Sequence, residues 1–224
     1  MSFISKNFSS SKIMGSSKKD NLIETLIKEG YLKTPRIIEA FKKIDRFDFV
    51  IDYLKTEAYR NAPLGIGFGQ TISQPLTVAV MMELLQPQAG QKILDIGSGS
   101  GWSTALLCEI VGERGKVYGV EIVPELSDFG KKNVSHYNFI SKGIAEFICS
   151  DGSKGLPEKA PFDRIISAAS SHHIPEAWKK QLKIGGRLVL PMNQSLWLII
   201  KKSENDFELK EYPGFIFVPL IEKD

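Results

Sequence analysis

The chain has 224 residues, 42% of them hydrophobic and 25% charged, with 29 Lys and Arg against 26 Asp and Glu for a formal charge of +3. That length suits one large α/β domain, or a domain with an appendage, and the interspersed signs give no basic footprint for nucleic acid. Two cysteines, Cys108 and Cys149, are too few for a disulfide framework or a metal set and read as small buried residues of a reducing cytosol, and no apolar run approaches the roughly 18 residues of a membrane span.

Residues 1–19 are rich in Ser and Lys, hold no acid or arginine and have no secretory core, so they are expected to form a flexible tail. From Asp20, D-N-L-I-E-T-L-I-K-E-G sets Leu22, Ile23, Leu26 and Ile27 on one helical face, with Asp20 as N-cap and Gly30 as stop. Thr34-Pro35 opens a second helix on Ile37, Ile38, Phe41 and Ile44. Residues 60–75, R-N-A-P-L-G-I-G-F-G-Q-T-I-S-Q-P, break that rhythm and predict a loop, of a length and composition that favour a functional role. Pro75 then starts a helix, L-T-V-A-V-M-M-E-L-L, ended by Gln86-Pro87. Thr71 and Ser73 fall near its N-terminus, where hydroxyls and unpaired N–H groups can hold an anion; a plain capping role for Ser73 is the equal alternative.

The stretch I-L-D-I-G-S-G-S-G-W-S, residues 93–103, reads as a strand, a tight turn and a helix start. Such turns let backbone approach a ligand closely. The dinucleotide fingerprint G-x-G-x-x-G would need glycine where Trp102 stands, and no Gly-Lys-Ser/Thr follows to make a Walker turn. What remains, Asp95 followed by Gly97, Gly99 and Gly101, resembles the first motif of S-adenosylmethionine-dependent methyltransferases, whose ligand presents an amino acid instead of a pyrophosphate. A turn kept small for packing alone is the bland alternative.

V-Y-G-V-E ends the second strand at Glu121, where a carboxylate can accept both hydroxyls of a ribose. Pro124 starts a helix running to about His136. A-E-F-I-C-S then meets Asp151-Gly152, a third acid at a strand end, suited to an adenine amino group. F-D-R-I-I-S-A-A at 162–169 is a fourth strand, a helix from Pro175 to Leu182 stops at Gly185-Gly186, and R-L-V-L-P at 187–191 is a fifth. This alternation predicts a doubly wound, Rossmann-like α/β sheet with ligands beyond the carboxyl ends of its strands. The remainder is hairpin-like, a β-rich edge. The division expected is therefore a helical prelude and loop at 20–75, a cofactor-binding core at 76–191 and C-terminal strands at 192–224. His172 and His173 read as loop residues.

From about residue 20 onward the chain resembles the protein-L-isoaspartate (D-aspartate) O-methyltransferases. The matching stretches are Y-R-N-A-P-L-G-I-G-F-G-Q-T-I-S-Q-P, I-L-D-I-G-S-G-S-G-W, V-Y-G-V-E, S-D-G, P-F-D-R-I-I, Q-L-K-I-G-G-R-L-V-L-P and F-V-P-L. G-Q-T-I-S-Q-P is the specific one, since generic methyltransferases share the glycine turn but not that loop. The resemblance implies methyl transfer from S-adenosylmethionine, without a metal, to the free α-carboxylate of L-isoaspartyl and, as the family name allows, D-aspartyl residues in damaged proteins. It makes Ser73 the active-site residue and Asp95, Gly97, Gly99, Gly101, Glu121 and Asp151 cofactor contacts, with Thr71 and Gly152 beside them. Ile72, Ser73, Phe217 and Val218 are the expected substrate contacts, pairing with a peptide main chain as an added strand. It further implies isoaspartyl proteins as partners, no nucleic acid or membrane, a monomer and a cytoplasmic setting. The loops at 167–173 and 191–195 depart from the family pattern. A same-fold methyltransferase for another carboxylate or a small molecule, or a silent cofactor-binding module, stays open at this point.

Overall fold

A computed structural model describes residues 5–221, with side chains from residue 17 onward. Helix α1 spans Ser5–Lys28, so residues 5–19, expected as a tail, are helical; residues 1–4 lie outside the described part. No proline interrupts them, and once a helix is nucleated each further residue adds a hydrogen bond at little cost. Ile23 and Leu26 are buried but Ile27 is 39% exposed, a narrower apolar stripe than predicted. Gly30, at φ 78°, turns the chain out of the helix.

Helix α2 (Pro35–Lys43) buries Ile37, Ala40 and Phe41, and Thr34 precedes it without capping it through its side chain. The hydroxyl of Thr34 instead donates to Glu83 Oε2 at 2.7 Å, while the N–H groups of Lys33 and Thr34 donate to Glu83 Oε1. Two 3-10 turns, Arg46–Phe49 and Asp52–Glu57, lead to residues 60–75, which are not the plain loop expected. Strands β1 (Leu64–Gly67) and β2 (Gln70–Ile72) pair there as an antiparallel hairpin. Leu64 and Ile66 point inward and glycines occupy the outer positions of β1, so the two-residue period was masked by residues that ordinarily mark turns.

Helix α3 (Pro75–Leu85) ends where the Gln86-Pro87 pair predicts, with Gln86 itself in a left-handed conformation. The core alternation follows: β3 (Lys92–Ile96), α4 (Trp102–Val111), β4 (Lys116–Glu121), α5 (Pro124–Ser135), β5 (Ala145–Cys149) and β6 (Phe162–Ser167). Helix α6 is short, Glu176–Gln181, and β7 spans Leu182–Met192. The strand thus takes in Gly185 and Gly186, read from sequence as a helix stop, and absorbs them at an irregularity in its pairing with β6. Strands β8 (Ser195–Lys201) and β9 (Phe207–Pro213) complete an antiparallel edge.

The large sheet has the order β5-β4-β3-β6-β7-β8-β9, parallel from β5 to β7. Chain direction across the sheet reverses between β3 and β6, and in such sheets the crevice beyond the carboxyl ends at this point takes the ligand. Successive strand residues feed opposite faces: Ile93, Val117 and Ile166 join the core under α2–α5, while Leu94, Tyr118 and Ile165 join that around Trp178 of α6. Cys108 is buried in α4, but Cys149 is exposed at the end of β5, against expectation. Among the described residues no helix is long and apolar enough to cross a membrane.

Candidate active site

The glycine turn is shaped by close packing as much as by a ligand. Gly101 sits at φ 86°, and a side chain there would meet the carbonyl of Gly130 at 2.8 Å and Val134 at 2.9 Å. Gly130, in the middle of α5, would in turn bring a side chain to 2.6 Å from the Gly99 carbonyl. The two glycines let α5 lie against the turn, and Asn133 donates to the Ser100 carbonyl at 3.0 Å. Gly130 was missed in the sequence, although a lone glycine inside a helical pattern costs about 1 kcal/mol and so asks for a reason.

Three recesses open beyond the strand ends and share Thr71 and Ala168 as common walls. The first is lined by Thr71, Ile72, Ser73, Asp95, Ser98 and Trp102, with Gly97 and Gly99 at its floor. The second lies between the β1–β2 hairpin and β4, lined by Ile66, Gly99, Glu121, Ile122, Gly152 and Val218. The third, a cavity of about 280 Å³, is lined by Pro63, Ser73, Gln74, Thr77, Phe217 and Val218. Ser73 faces the first and the third, so it stands where two ligands could meet.

Asp95 is fully buried; its Oδ2 accepts from Ser103 Oγ at 2.8 Å and Thr104 Oγ1 at 2.6 Å. Burial pushes its pKa up to about 6, the two hydroxyls pull it back, and the Glu121 carboxylate adds to the rise. Its Oδ1 has no partner among the described residues, and neither have Ser98 Oγ and Trp102 Nε1, all buried and all on residues of the first recess. Buried polar atoms are rarely left unpaired, so their convergence marks a place for a polar ligand. Glu121, 6% exposed, accepts from the N–H groups of Gly99 on Oε2 and of Ile122 and Val123 on Oε1. An ionised carboxylate has about four acceptor positions, so three are filled and one is open.

Gly101 and Asp151 line none of the three recesses. Asp151 accepts the Ser153 N–H at 2.9 Å, capping a short 3-10 turn, and lies 3.6 Å from Lys154 Nζ. The turn is braced from behind, since Trp178 Nε1 donates to the Gly152 carbonyl and Gln181 holds Lys154 and Leu156. Gly152, not the acid before it, reaches the second recess.

The C-terminal segment crosses the end of β6 as an isolated bridge, with Ser170 N–H donating to the Val218 carbonyl and Leu220 N–H donating to the Ser170 carbonyl, both at 2.7 Å. The Val218 carbonyl thus accepts one hydrogen bond from within the chain itself. The main-chain groups of Phe217 have no partner among the described residues. Turn residues Asn193 and Gln194 of the atypical 191–195 loop are left-handed, at φ 52° and 62°, and the Gln194 carbonyl receives the N–H groups of Gly214 and Phe215, which aims the segment at the recess. His172 and His173 are exposed and line none of these three recesses.

A family model described as protein-L-isoaspartate(D-aspartate) O-methyltransferase (PCMT) matches residues 17–224. Similar proteins include one named protein-L-isoaspartate O-methyltransferase from Methanopyrus kandleri, 40% identical over 207 residues and covering 91% of each chain. Another of that name, from Ignicoccus hospitalis, is 41% identical over 212 residues, covering 92% of this chain and 99% of its own. A solved structure also named protein-L-isoaspartate O-methyltransferase is 29% identical with a TM-score of 0.80; the match covers 90% of this chain, which spans 65% of that longer one. A Plasmodium falciparum structure with 23% identity, covering 91% of this chain and 98% of its own at a TM-score of 0.81, speaks for the fold alone.

Proposed function

Because the chain belongs to the protein-L-isoaspartate(D-aspartate) O-methyltransferase family, it is an S-adenosylmethionine-dependent protein repair methyltransferase, and we propose how its three recesses divide that work. The observation that carries the division is Ser73, placed on the wall common to the recess with the unpaired polar atoms and the recess beside Phe217. The cofactor supplies a methyl group on a positively charged sulfur. The chain's residues fit it: Asp95 Oδ1 is a buried acceptor in want of a cationic donor, and Ser98 Oγ and Trp102 Nε1 can serve the other polar atoms of an amino acid. Thr71, Gly97 and Gly99 would wall this end, Glu121 would take a ribose hydroxyl, and the Gly152 turn that Asp151 caps would border the base.

The acceptor is a carboxylate with a pKa of about 4, ionised at neutral pH, so no general base is needed. One of its oxygens forms a bond to the methyl carbon as the carbon–sulfur bond breaks and the electron pair stays on sulfur. Opposite charges cancel, so the chain's task is to align and to exclude water, which can supply roughly 7 to 11 kcal/mol. Ser73 Oγ, which has no partner among the described residues, would donate to the carboxylate and hold it in line. Ile72 and Phe217 would flank the peptide, with the Phe217 main chain as its pairing edge and the Val218 side chain as wall. The same reading has D-aspartyl residues as a second acceptor, and a monomer working in the cytoplasm without nucleic acid or membrane. Its supports are that one chain supplies all three recesses, that both thiols are free and that basic and acidic residues nearly balance.

Repair, as distinct from esterification alone, is tested by product. Prolonged incubation of an isoaspartyl peptide with the protein and S-adenosylmethionine should yield succinimide and then the normal aspartyl peptide by chromatography. Consumption of the methyl donor with no aspartyl product would contradict it.

The buried acid gives a pH dependence. Asp95 has its folded pKa raised to about 6, above the roughly 3.9 of an unfolded chain, so the free protein loses stability as pH climbs through that window. A bound ammonium favours the ionised form, so affinity for S-adenosylhomocysteine should fall as pH drops below about 6, by at most about tenfold per pH unit. Calorimetric titration between pH 5 and 8 measures it, and Asp95→Asn should flatten the curve. The same slope in the variant would assign the titration to another group.

A further inference from the structure

Arg46 is a charged side chain only 3% exposed, and no carboxylate pairs with it among the described residues. Its Nη1 donates to the carbonyls of Ala58 at 2.5 Å and Arg60 at 3.4 Å, and its Nη2 to those of Ala62 at 3.0 Å and Ser73 at 3.1 Å. The guanidinium also lies over the Trp102 ring at 5.4 Å, with Phe41 packed edge-on to the same ring at 5.6 Å. Burial alone lowers its pKa, to about 10, so it remains a cation at neutral pH. Burying a cation without a counter-charge is expensive unless its hydrogen bonds are well met. Here the two terminal nitrogens are spent on main-chain carbonyls of two separate segments, 58–62 and Ser73, while the buried Nε has no partner among the described residues. Asn61 ties residue 61 to the start of α3 as well, its carbonyl accepting from Gln74 Nε2 and its side chain from Leu76 N–H, but neither bond reaches Ser73 itself.

We propose that Arg46 is the positioning residue of Ser73: its planar fork pins the turn between β2 and α3 to residues 58–62 and to the Trp102 ring, fixing where the Ser73 hydroxyl meets the acceptor carboxylate. A lysine keeps the charge but has no planar fork and cannot bridge both segments from one fixed plane. The charge itself is not the device, because methyl transfer discharges the carboxylate, so a fixed cation would favour the bound acceptor over the transition state. The inference rests on the role given to Ser73 above.

A double-mutant cycle on Arg46 and Ser73 tests it, with kcat and KM for an isoaspartyl peptide, the Kd of S-adenosylhomocysteine and thermal stability measured on the full chain. R46K should lower kcat about tenfold, short of the hundredfold that a misplacement of about 1 Å can cost, while cofactor affinity stays within about twofold. Adding R46K to Ser73→Ala should then slow kcat little further, because the positioned group is gone. R46Q offers a second cycle should the buried ammonium prevent folding, and it should behave alike, since neither side chain spans the two segments. Multiplicative losses in the double variant, full activity in R46K, or an affinity loss equal to the loss of kcat would each overturn the inference. Undiminished kcat in Ser73→Ala alone would instead overturn the role of the serine.

Discussion

Ser73→Ala should lower kcat for an isoaspartyl peptide by about 10- to 150-fold, the value of a hydrogen bond of roughly 1.5 to 3 kcal/mol to a charged group. The Kd of S-adenosylhomocysteine should hardly move. The asymmetry follows from position: Ser73 reaches the first recess at the wall it shares with the third, and among the described residues its hydroxyl holds no structural bond whose loss would disturb the glycine turn. Arg46 grips the serine by its carbonyl, which alanine keeps, so the backbone path should persist. Residual activity is expected because no proton has to be removed and alignment by Ile72 and Phe217 remains. Steady-state kinetics with a titrated cofactor separates the terms. A variant with normal kcat but weakened cofactor binding would move Ser73 to the cofactor's side.

The opposite pattern is expected for Glu121→Ala: S-adenosylhomocysteine binding should weaken by about 1.5 to 3 kcal/mol, or roughly 10- to 150-fold, with kcat at saturating cofactor within a few-fold of the parent. Part of this loss is local. The carboxylate gathers the N–H groups of Gly99, Ile122 and Val123, so its removal loosens the floor on which the cofactor rests as well as deleting a ligand. Glu121→Gln keeps one acceptor and the shape, and should fall between. Titration calorimetry gives the affinities, and a Glu121→Ala protein that binds normally but turns over slowly would reverse the assignment.

The core of the fold was legible because its punctuation agrees with its periods. Pro75 and Pro124 open helices, Gln86-Pro87 closes one, and the apolar runs at β3, β4 and β6 belong to strands buried on both faces. Asp95, Glu121 and Gly152 therefore stand at the strand ends where the pattern placed them. The failures have local causes. Glycine in the outer positions of β1 disguised a strand as a loop, and Gly185-Gly186 disguised a strand interior as a helix stop. Asp151 and Gly101 line none of the three recesses, and what the structure shows of them is that they hold neighbouring backbone in place. One caps the turn that presents Gly152, and the other lets α5 approach. Arg46 left no trace at all, since its four acceptors are carbonyls, and main-chain carbonyls leave no mark in a sequence.

The central claim, a methyl donor and an isoaspartyl carboxylate meeting at Ser73, is tested most directly by labelled methyl transfer from S-adenosylmethionine to an isoaspartyl peptide beside its normal aspartyl twin. Label should enter the isoaspartyl peptide alone, as a base-labile ester. Equal labelling of both peptides, or cofactor binding with no transfer to either, would contradict it.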